Sequence, residues 1–462
     1  MKLTKKRKSK QQLPPHPKKH HKPYRFKHFA IFFLGLMIGF AGTYKGGYIE
    51  QKKFDINTVS PASVKIYHFV CGTLKYNGQT YGEETCDGGV GTGFLVSSDG
   101  YIATSGHVVV LEPADIMVSE LKRNPMALRQ FIASMGVDVQ SSVAIGSSDT
   151  LLSDLYDLPP EKLSLENKRE AIYVSLGDRP MVINDESPDK VLNYPESDYI
   201  KKAELIAANY SPKDILQVEQ DKGFSARDDA LIKVDVVNAP FIPLAESSKM
   251  KQNDDISLIG FPADADNQLT VNDNITPSIT NGNISSIRTS NGLASRLFQT
   301  DADASEGNSG GPAVNQSGEA FGVVTYRFKD SNEANAPKSY IRDIDGIKEL
   351  LNDKKIELNT KSASQEHWLK GLDLASEKRY TKALEEYRLT NKAFPAHRLV
   401  GAYSHEAEQA IKNGEDIKDP PYALILTLSA IIGGAITVII SALFIVNHRV
   451  QHQRYKKSFI NY

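Results

Sequence analysis

The sequence predicts a mainly β protein with a helical insertion, a short α-helical tail and two transmembrane helices. Three observations support this fold class. Residues 55–358 consist mostly of short β-branched or aromatic runs that are separated by turn residues. Residues 363–413 carry apolar side chains at helical spacing. Two long, almost uncharged runs, one near each end of the chain, have the composition of membrane spans.

The first 48 residues predict a basic cytoplasmic tail and a membrane anchor. Residues 1–28 contain eleven Lys or Arg and no Asp or Glu, so they cannot bury a core. An uncharged run begins at residue 29, and we predict an uncleaved transmembrane signal anchor over 29–48. A cleaved signal peptide, with a weak cleavage site at Gly39-Phe40-Ala41, is the alternative.

A second span is predicted over 422–446, an uncharged run that is long enough to cross a bilayer. Small residues four positions apart, such as Ser429 and Gly433, either pack against another helix or face lipid. The tail that follows, 447–462, is basic, and positive charge stays on the cytoplasmic side. Both termini are therefore predicted to be cytoplasmic, with residues 50–420 outside a bacterial plasma membrane.

The chain has only two cysteines, Cys71 and Cys86, and both lie in the part that is predicted to be outside. They flank a stretch with the pattern of a hairpin whose tip is Asn77-Gly78. A disulfide between them is permitted outside the cytoplasm, and two free thiols are the alternative. No nearby Cys or His pair supplies further ligands, so no metal site is predicted.

A serine flanked by glycines is the first candidate for chemistry. It lies in the sequence Gly307-Asn308-Ser309-Gly310-Gly311-Pro312, within residues 300–314. Glycine lets the backbone approach a substrate closely, and the backbone N–H groups of Gly307 and Ser309 can hold an oxyanion. The same composition also suits an ordinary tight turn. Upstream partners for the serine decide between the two interpretations.

Two upstream residues supply those partners. A serine hydroxyl needs a histidine as its base, and the histidine needs a carboxylate that fixes its tautomer. His107 follows a predicted strand at 101–105, and Asp228 lies at the start of an apolar strand at 230–236. The candidate residues therefore occur in the chain order histidine, aspartate, serine.

The three motifs together resemble the trypsin-like serine proteases, and among them the HtrA-like (Deg) group. They are GTGFLVSSDGYIATSGH at 91–107, DDALIKVD at 228–235 and TDADASEGNSGGP at 300–312, and NGNISSIR at 281–288 is similar to a strand ahead of the serine in that group. The resemblance covers roughly 55–358. It implies two closed antiparallel β-barrels, with the catalytic residues in the cleft between them.

The resemblance also implies the role of each candidate. Ser309 would be the nucleophile, His107 the base, and Asp228 the carboxylate that orients the base, with no cofactor and no metal. The backbone N–H groups of Gly307 and Ser309 would form the oxyanion hole. Asp229 stands where the group usually has an apolar residue, and it is the alternative carboxylate. Asp228 is preferred because it keeps the usual spacing to the strand that follows.

Asp303 is the candidate for the specificity pocket. In trypsin-like enzymes the residue six positions before the serine forms the floor of that pocket. An aspartate at the base of a partly dry pocket attracts Lys or Arg. Alternatively, Asp301 or Asp303 bonds backbone N–H groups in its own loop, and the enzyme prefers the small aliphatic side chains that the HtrA-like group favours.

The sequence departs from that group in two places. Residues 110–170 predict a helical insertion, which either covers the cleft, docks a partner or elaborates the surface. After a helix at 344–353 no PDZ domain is visible. Residues 363–413 instead match a single tetratricopeptide-like repeat, or they form a helical stalk that packs on the protease; the matching residues are Gly371, Leu374, Tyr380, Ala383, Tyr387 and Pro395.

The function that follows is that of a membrane-anchored, extracytoplasmic serine endopeptidase acting on protein or peptide substrates. The alternative is a catalytically silent membrane scaffold or sensor, whose barrels bind peptides and whose helical tail recruits a protein partner. The basic N-terminal tail is assigned to membrane topology, so no nucleic acid partner is predicted. The oligomeric state does not follow from the sequence.

Overall fold

Twelve strands build two closed antiparallel barrels in the computed structural model of the chain. The structure describes residues 54–123, 131, 158–159, 161–183, 187–210, 227–262, 275–289, 295–305, 307–328, 338–418, 431 and 434–450. The first barrel has the strand order β1-β2-β3-β6-β5-β4. Its strands are β1 (Ser63–Tyr76), β2 (Gln79–Leu95), β3 (Tyr101–Thr104), β4 (Leu163–Ser175), β5 (Ile200–Tyr210) and β6 (Asp228–Lys233).

The second barrel has the order β10-β11-β12-β9-β8-β7. Its strands are β7 (Asp255–Gly260), β8 (Ser278–Thr289), β9 (Arg296–Thr300), β10 (Pro312–Val314), β11 (Ala320–Phe328) and β12 (Lys338–Asp343). Phe298 and Phe321 meet edge to face in its core, with ring centroids 5.3 Å apart. The prediction of a mainly β chain with two closed barrels is therefore confirmed.

The hairpin formed by β1 and β2 bears out the prediction made from the cysteines. Asn77 and Gly78 form its tip with positive φ of 48° and 77°, as the tight turns that suit a hairpin require. Cys71 and Cys86 face each other across the two strands and are joined by a disulfide. The bond ties the part of the hairpin that extends beyond the barrel.

Of the predicted helical insertion 110–170, residues 124–130, 132–157 and 160 lie outside the described residues, and the described part is only partly helical. After a short helix α1 (Gly106–Val109), helix α2 (Pro113–Arg123) buries Met117 and Leu121 in a small second core with Leu74 on β1. Residues 163–170, which were expected to be helical, instead form the first part of β4 and pair with the extended part of β1. Their charged side chains face solvent, so backbone pairing with β1 decides their conformation.

Helices close the described chain. A small helix α3 (Pro188–Leu192) precedes β5, and α4 (Asp345–Asp353) follows the second barrel. The helical tail consists of α5 (Ala363–Ser376), α6 (Tyr380–Ala393) and α7 (Val400–Lys412). Trp368 is fully buried at its centre, with Tyr387, His397 and Tyr403 around its ring.

The tail lies directly against the first barrel. Phe394 and Ala396 are part of the same buried core as the strands of that barrel. The indole N–H of Trp368 donates to the backbone carbonyl of Asn57, at 2.9 Å. The tail therefore packs on the barrels as an added layer, which is the arrangement that the stalk interpretation supposed; its identity as a tetratricopeptide-like repeat stays a prediction.

The two predicted membrane spans fall largely outside the described residues. The whole segment 29–48 lies outside the described residues, and of 422–446 the structure describes Ile431 and the helical residues 434–446. Within the described part of the chain, no helix combines the length and the apolar character that crossing a membrane requires. The two spans and the cytoplasmic placement of both termini stay predictions.

Candidate active site

His107 is presented by the short helix α1, which begins where β3 ends. Ser105 remains extended, and the chain turns into the helix at Gly106. A side chain at Gly106 would come within 2.3 Å of the Tyr210 side chain, so only glycine permits this close approach. The imidazole that results is one-third exposed, at 34%, in the cleft beside β6.

Asp228 holds His107 through two contacts. The Nδ1 atom of His107 lies 2.8 Å from Oδ2 of Asp228, and the backbone N–H of His107 donates to Oδ1 at 2.9 Å. Thr325 on β11 donates its hydroxyl to the same carboxylate. Asp228 itself is fully buried. These contacts place the imidazole proton on Nδ1, so Nε2 carries the lone pair that a base needs.

The electrostatics of the pair favour the charged carboxylate. Burial alone would lower the pKa of His107, but the charge and hydrogen bond of Asp228 outweigh burial and raise it above the ordinary histidine value. Burial alone would raise the pKa of Asp228, but His107 and the hydroxyl of Thr325 keep it below the ordinary aspartate value. Asp228 is therefore ionised whenever His107 acts as a base.

Of the two candidate carboxylates, the structure brings Asp228 and not Asp229 to the histidine. Asp229 is fully buried, and neither of its oxygens accepts a hydrogen bond from the described residues. Its nearest ionic neighbour is Arg227, with Nη1 at 3.8 Å from Oδ2. Burial raises the pKa of Asp229 to about 8, against a smaller opposing effect of Arg227.

Ser309 reaches the same site from the second barrel. Its hydroxyl donates to the backbone carbonyl of Thr325 at 3.2 Å, while the hydroxyl of Thr325 bonds Asp228. Thr325 thus links the serine to the carboxylate that holds His107. The serine hydroxyl is engaged with this carbonyl rather than with the imidazole in the described state.

The loop before Ser309 makes a tight turn. The N–H of Asn308 donates to the carbonyl of Ser305 at 3.1 Å, and Gly307 has a φ of 92°, a value that glycine adopts readily. No acceptor among the described residues receives the N–H groups of Gly307 or Ser309. Both predicted donors are thus available to a negatively charged oxygen.

Asp303 lies in the loop that leads to Ser309, with an exposed side chain. Its backbone carbonyl accepts a hydrogen bond from Thr280 at 2.8 Å. The neighbouring Asp301 accepts the backbone N–H of Asn283 at 2.6 Å, so it bonds strand β8 rather than its own loop. The role of Asp303 in specificity stays a prediction.

Two residues at the site were not identified from the sequence. Thr325 lies in a mostly apolar stretch of β11, where a single hydroxyl residue is only a weak signal. Tyr210, at the end of β5, lies beside the imidazole of His107, with the two ring centroids 6.4 Å apart. Only the pairing of Tyr210 with Asp228 across β5 and β6 brings it there.

Comparison with known proteins agrees with this geometry. A family model described as a trypsin-like peptidase domain matches residues 189–323. The matched range contains Asp228, Gly307 and Ser309 but begins after His107. The matched range is thus similar to a trypsin-like peptidase domain, and the two closed barrels agree with the fold that such a similarity implies.

Curated relatives point to the same class. A putative serine protease HhoB of Synechocystis sp. is 34% identical over 104 residues, 21% of this chain and 23% of that protein. A probable periplasmic serine endoprotease DegP-like of Pseudomonas putida is 31% identical over 134 residues, 29% and 26% of the two proteins. The chain thus spans about a quarter of the length of the curated relatives it matches.

A solved structure of an HtrA-type protease with a decapeptide aligns over 64% of each chain, with a TM-score of 0.35 and 16% sequence identity.

Replacing each of the two neighbouring aspartates separates their roles. We expect Asp228→Asn to slow the reaction of Ser309 with a fluorophosphonate by about 10⁴-fold, because an amide cannot hold the imidazole in the required tautomer. Asp229→Asn is the matched control and should keep most of the wild-type rate, since Asp229 does not touch His107. Equal losses in the two variants would contradict the assignment of Asp228.

Asp229→Asn should also change how stability depends on pH. Asp229 keeps its proton up to a pH of about 8 in the folded protein, whereas an unfolded aspartate loses it near pH ~4. Unfolding therefore releases a proton between these values, and wild-type stability falls as the pH rises through this window. The amide carries no such proton. Thermal melts should show that the melting temperature of Asp229→Asn, relative to that of the wild type, is higher at pH 8 than at pH 5. The same difference at both pH values would show that Asp229 is charged in the folded protein.

Proposed function

We propose that the chain is a membrane-anchored, extracytoplasmic serine endopeptidase of the HtrA-like type that acts on protein or peptide substrates. The observation that carries this proposal is the connected set His107, Asp228, Thr325 and Ser309 at the junction of the two barrels. A module that only binds peptides has no need of a buried carboxylate aligned behind a partly exposed histidine and a serine.

The proposed reaction follows from the placement of these groups. Ser309 Oγ attacks the scissile carbonyl and transfers its proton to Nε2 of His107, and Asp228 stabilises the imidazolium that forms. The N–H groups of Gly307 and Ser309 receive the negative charge of the tetrahedral oxygen. His107 then returns the proton to the leaving amine, and water hydrolyses the acyl-enzyme by the same steps.

Two features support an extracytoplasmic location. The disulfide between Cys71 and Cys86 persists in an oxidising compartment, and disulfides are rare in the cytosol. The relative from Pseudomonas putida is described as periplasmic. Both agree with the topology that the basic termini predict, in which residues 50–420 lie outside the membrane.

The C-terminal helix supports attachment to a membrane. Over the described residues 434–446, large apolar side chains such as Ile436, Val438, Leu443 and Phe444 are exposed by about half or more. A continuous exposed apolar surface of this kind is unusual on a soluble protein and suits contact with lipid. We also propose that the segment before this helix is a tetratricopeptide-like tail and not a PDZ domain.

A membrane-impermeant fluorophosphonate probe tests activity and location together. Intact cells that express the full chain should show labelled protein, and Ser309→Ala should abolish the label, because the probe requires an activated serine. Labelling that appears only after lysis would contradict the outside location while supporting the protease. Absence of labelling in intact and lysed cells, or labelling that survives Ser309→Ala, would contradict the protease itself.

The exposure of the Asp303 side chain predicts which residue the enzyme prefers before the cut. An exposed carboxylate gains little from an ion pair, because solvent screens the charge. We therefore expect cleavage after small aliphatic residues, with about unchanged kcat/KM in Asp303→Ala. A peptide library varied at the residue before the cut measures this preference. Strong cleavage after Lys or Arg that disappears in Asp303→Ala would show that Asp303 forms the floor of a basic-specific pocket.

A further inference from the structure

Thr92 on β2 joins the first barrel to the loop of Ser309. Its side chain is fully buried. Its hydroxyl donates to the backbone carbonyl of Gly307 at 2.7 Å, and its backbone N–H donates to the carbonyl of Ser309 at 2.8 Å. One residue of the first barrel therefore holds the backbone on both sides of Asn308, which belongs to the second barrel.

These bonds fix the peptide unit that sets the oxyanion hole. The carbonyl of Gly307 is bound by Thr92, and the N–H of the same peptide unit, which belongs to Asn308, is bound by the carbonyl of Ser305. With both ends held, the unit cannot rotate. The direction of the Ser309 N–H on one side and of the Gly307 N–H on the other depends on this fixed plane.

The hydroxyl of Thr92 is itself positioned by Phe261. The backbone N–H of Phe261, one residue after β7, donates to Thr92 Oγ1 at 2.9 Å. With this acceptor position filled, the hydroxyl proton points to Gly307. The orientation of the hydroxyl therefore depends on where the backbone of Phe261 lies.

Phe261 is in turn covered by Arg398, which belongs to the helical tail. The guanidinium lies over the phenyl ring, 4.7 Å from its centroid. The same group donates to the carbonyl of Gly177 at 3.1 and 2.8 Å and to the carbonyl of Ser63 at 3.0 Å. Arg398 is buried, and within the described residues it forms these contacts without a direct ion pair.

A buried guanidinium in this setting has a positional function. Gly177 and Ser63 belong to the first barrel, whereas Phe261 belongs to the second, so one side chain of the tail contacts both. Removing it would take these donors away from two buried carbonyls, which is costly in the interior. The tail is thereby connected, through side-chain and backbone contacts, to the loop that carries the nucleophile.

We propose that the helical tail is a working part of the catalytic domain: Arg398 holds Phe261, Phe261 holds Thr92, and Thr92 is the positioning residue that aligns the oxyanion amides of Gly307 and Ser309. The proposal rests on the proposed serine protease function. It gives the tail a role within its own chain and does not require a partner protein.

The first test concerns Thr92. Thr92→Val keeps the shape but removes the hydroxyl, and Thr92→Ser keeps the hydroxyl. The rate constant for inactivation of Thr92→Val by the fluorophosphonate should fall by about tenfold to a hundredfold. This reduction does not exceed the one expected when an oxyanion donor is removed. The half-saturating probe concentration should stay within about threefold, and Thr92→Ser should restore most of the rate.

Thr390→Val is the matched control for lost stability. Thr390 is also fully buried and also donates its hydroxyl to a backbone carbonyl, that of Glu386, but it lies in α6 away from the Ser309 loop. It should lower the melting temperature without changing the rate of the folded protein. A rate in Thr92→Val that matches Thr390→Val, after correction for folded fraction, would overturn the positioning role.

The second test concerns the connection to the tail. Arg398→Met removes the charge and keeps a side chain of similar length. Phe261→Leu removes the ring and keeps the backbone hydrogen bond to Thr92, so it tests the same connection if Arg398→Met does not fold. Each should reduce the rate by about threefold to tenfold. When Arg398→Met or Phe261→Leu is combined with Thr92→Val, the rate should fall little further than in Thr92→Val alone, because each substitution acts through Thr92. Multiplicative losses would show that the tail does not act through Thr92.

A readout without activity separates this proposal from the protease assignment. Hydrogen exchange of a peptide that covers residues 305–311 should become faster in Thr92→Val and in Arg398→Met, but not in Gln365→Ala, which removes a different contact between the tail and the barrel at Phe241. If the wild type is not labelled but exchange changes as expected, the positioning link holds and the protease function fails. Unchanged exchange overturns the link.

Discussion

The buried charge of Asp228 is the constraint on which the site depends. A carboxylate without water is stable only when opposite charge and hydrogen bonds replace its hydration. His107 and Thr325 supply them, one from each barrel. The charge therefore ties the barrels together at the point where the nucleophile must meet its base. Any displacement of β11 relative to β6 would remove the hydroxyl of Thr325 and leave Asp228 short of a donor.

The adjacent Asp229 shows why the two neighbours behave differently. Two buried carboxylates next to each other cannot both be ionised at low cost. Asp228 receives a direct histidine partner and a hydroxyl, whereas Asp229 has Arg227 at 3.8 Å, and Arg227 is already engaged with Asp343 at 2.9 Å. The proton therefore resides on Asp229. A neutral neighbour adds no repulsion to the charge that His107 needs.

Local signals in the sequence were sufficient for part of this picture. Ser309 was found from its glycines, His107 from the turn and strand before it, and the hairpin of Cys71 and Cys86 from Asn77-Gly78, since each depends on residues close in the chain. Thr325 and Thr92 were missed because their importance arises from partners more than ninety residues away. The strand at 163–170 was missed because its charged side chains do not have a strand pattern, and its conformation depends on backbone pairing with the distant strand β1.

The bond between Ser309 and the carbonyl of Thr325 completes the argument about how the site is held before it acts. A neutral hydrogen bond of 3.2 Å contributes little net free energy, about 1 kcal/mol or less. Exchanging it for a bond to His107 is therefore inexpensive, and the serine does not need a rigid partner. The oxyanion amides are different, because a backbone cannot be reoriented by turning a side chain. Preorganisation must then reside in the loop itself, which Thr92 contacts directly and which Phe261 and Arg398 reach through Thr92. On the proposed mechanism, the serine hydroxyl changes its partner during the reaction, whereas the backbone that receives the charge stays in place.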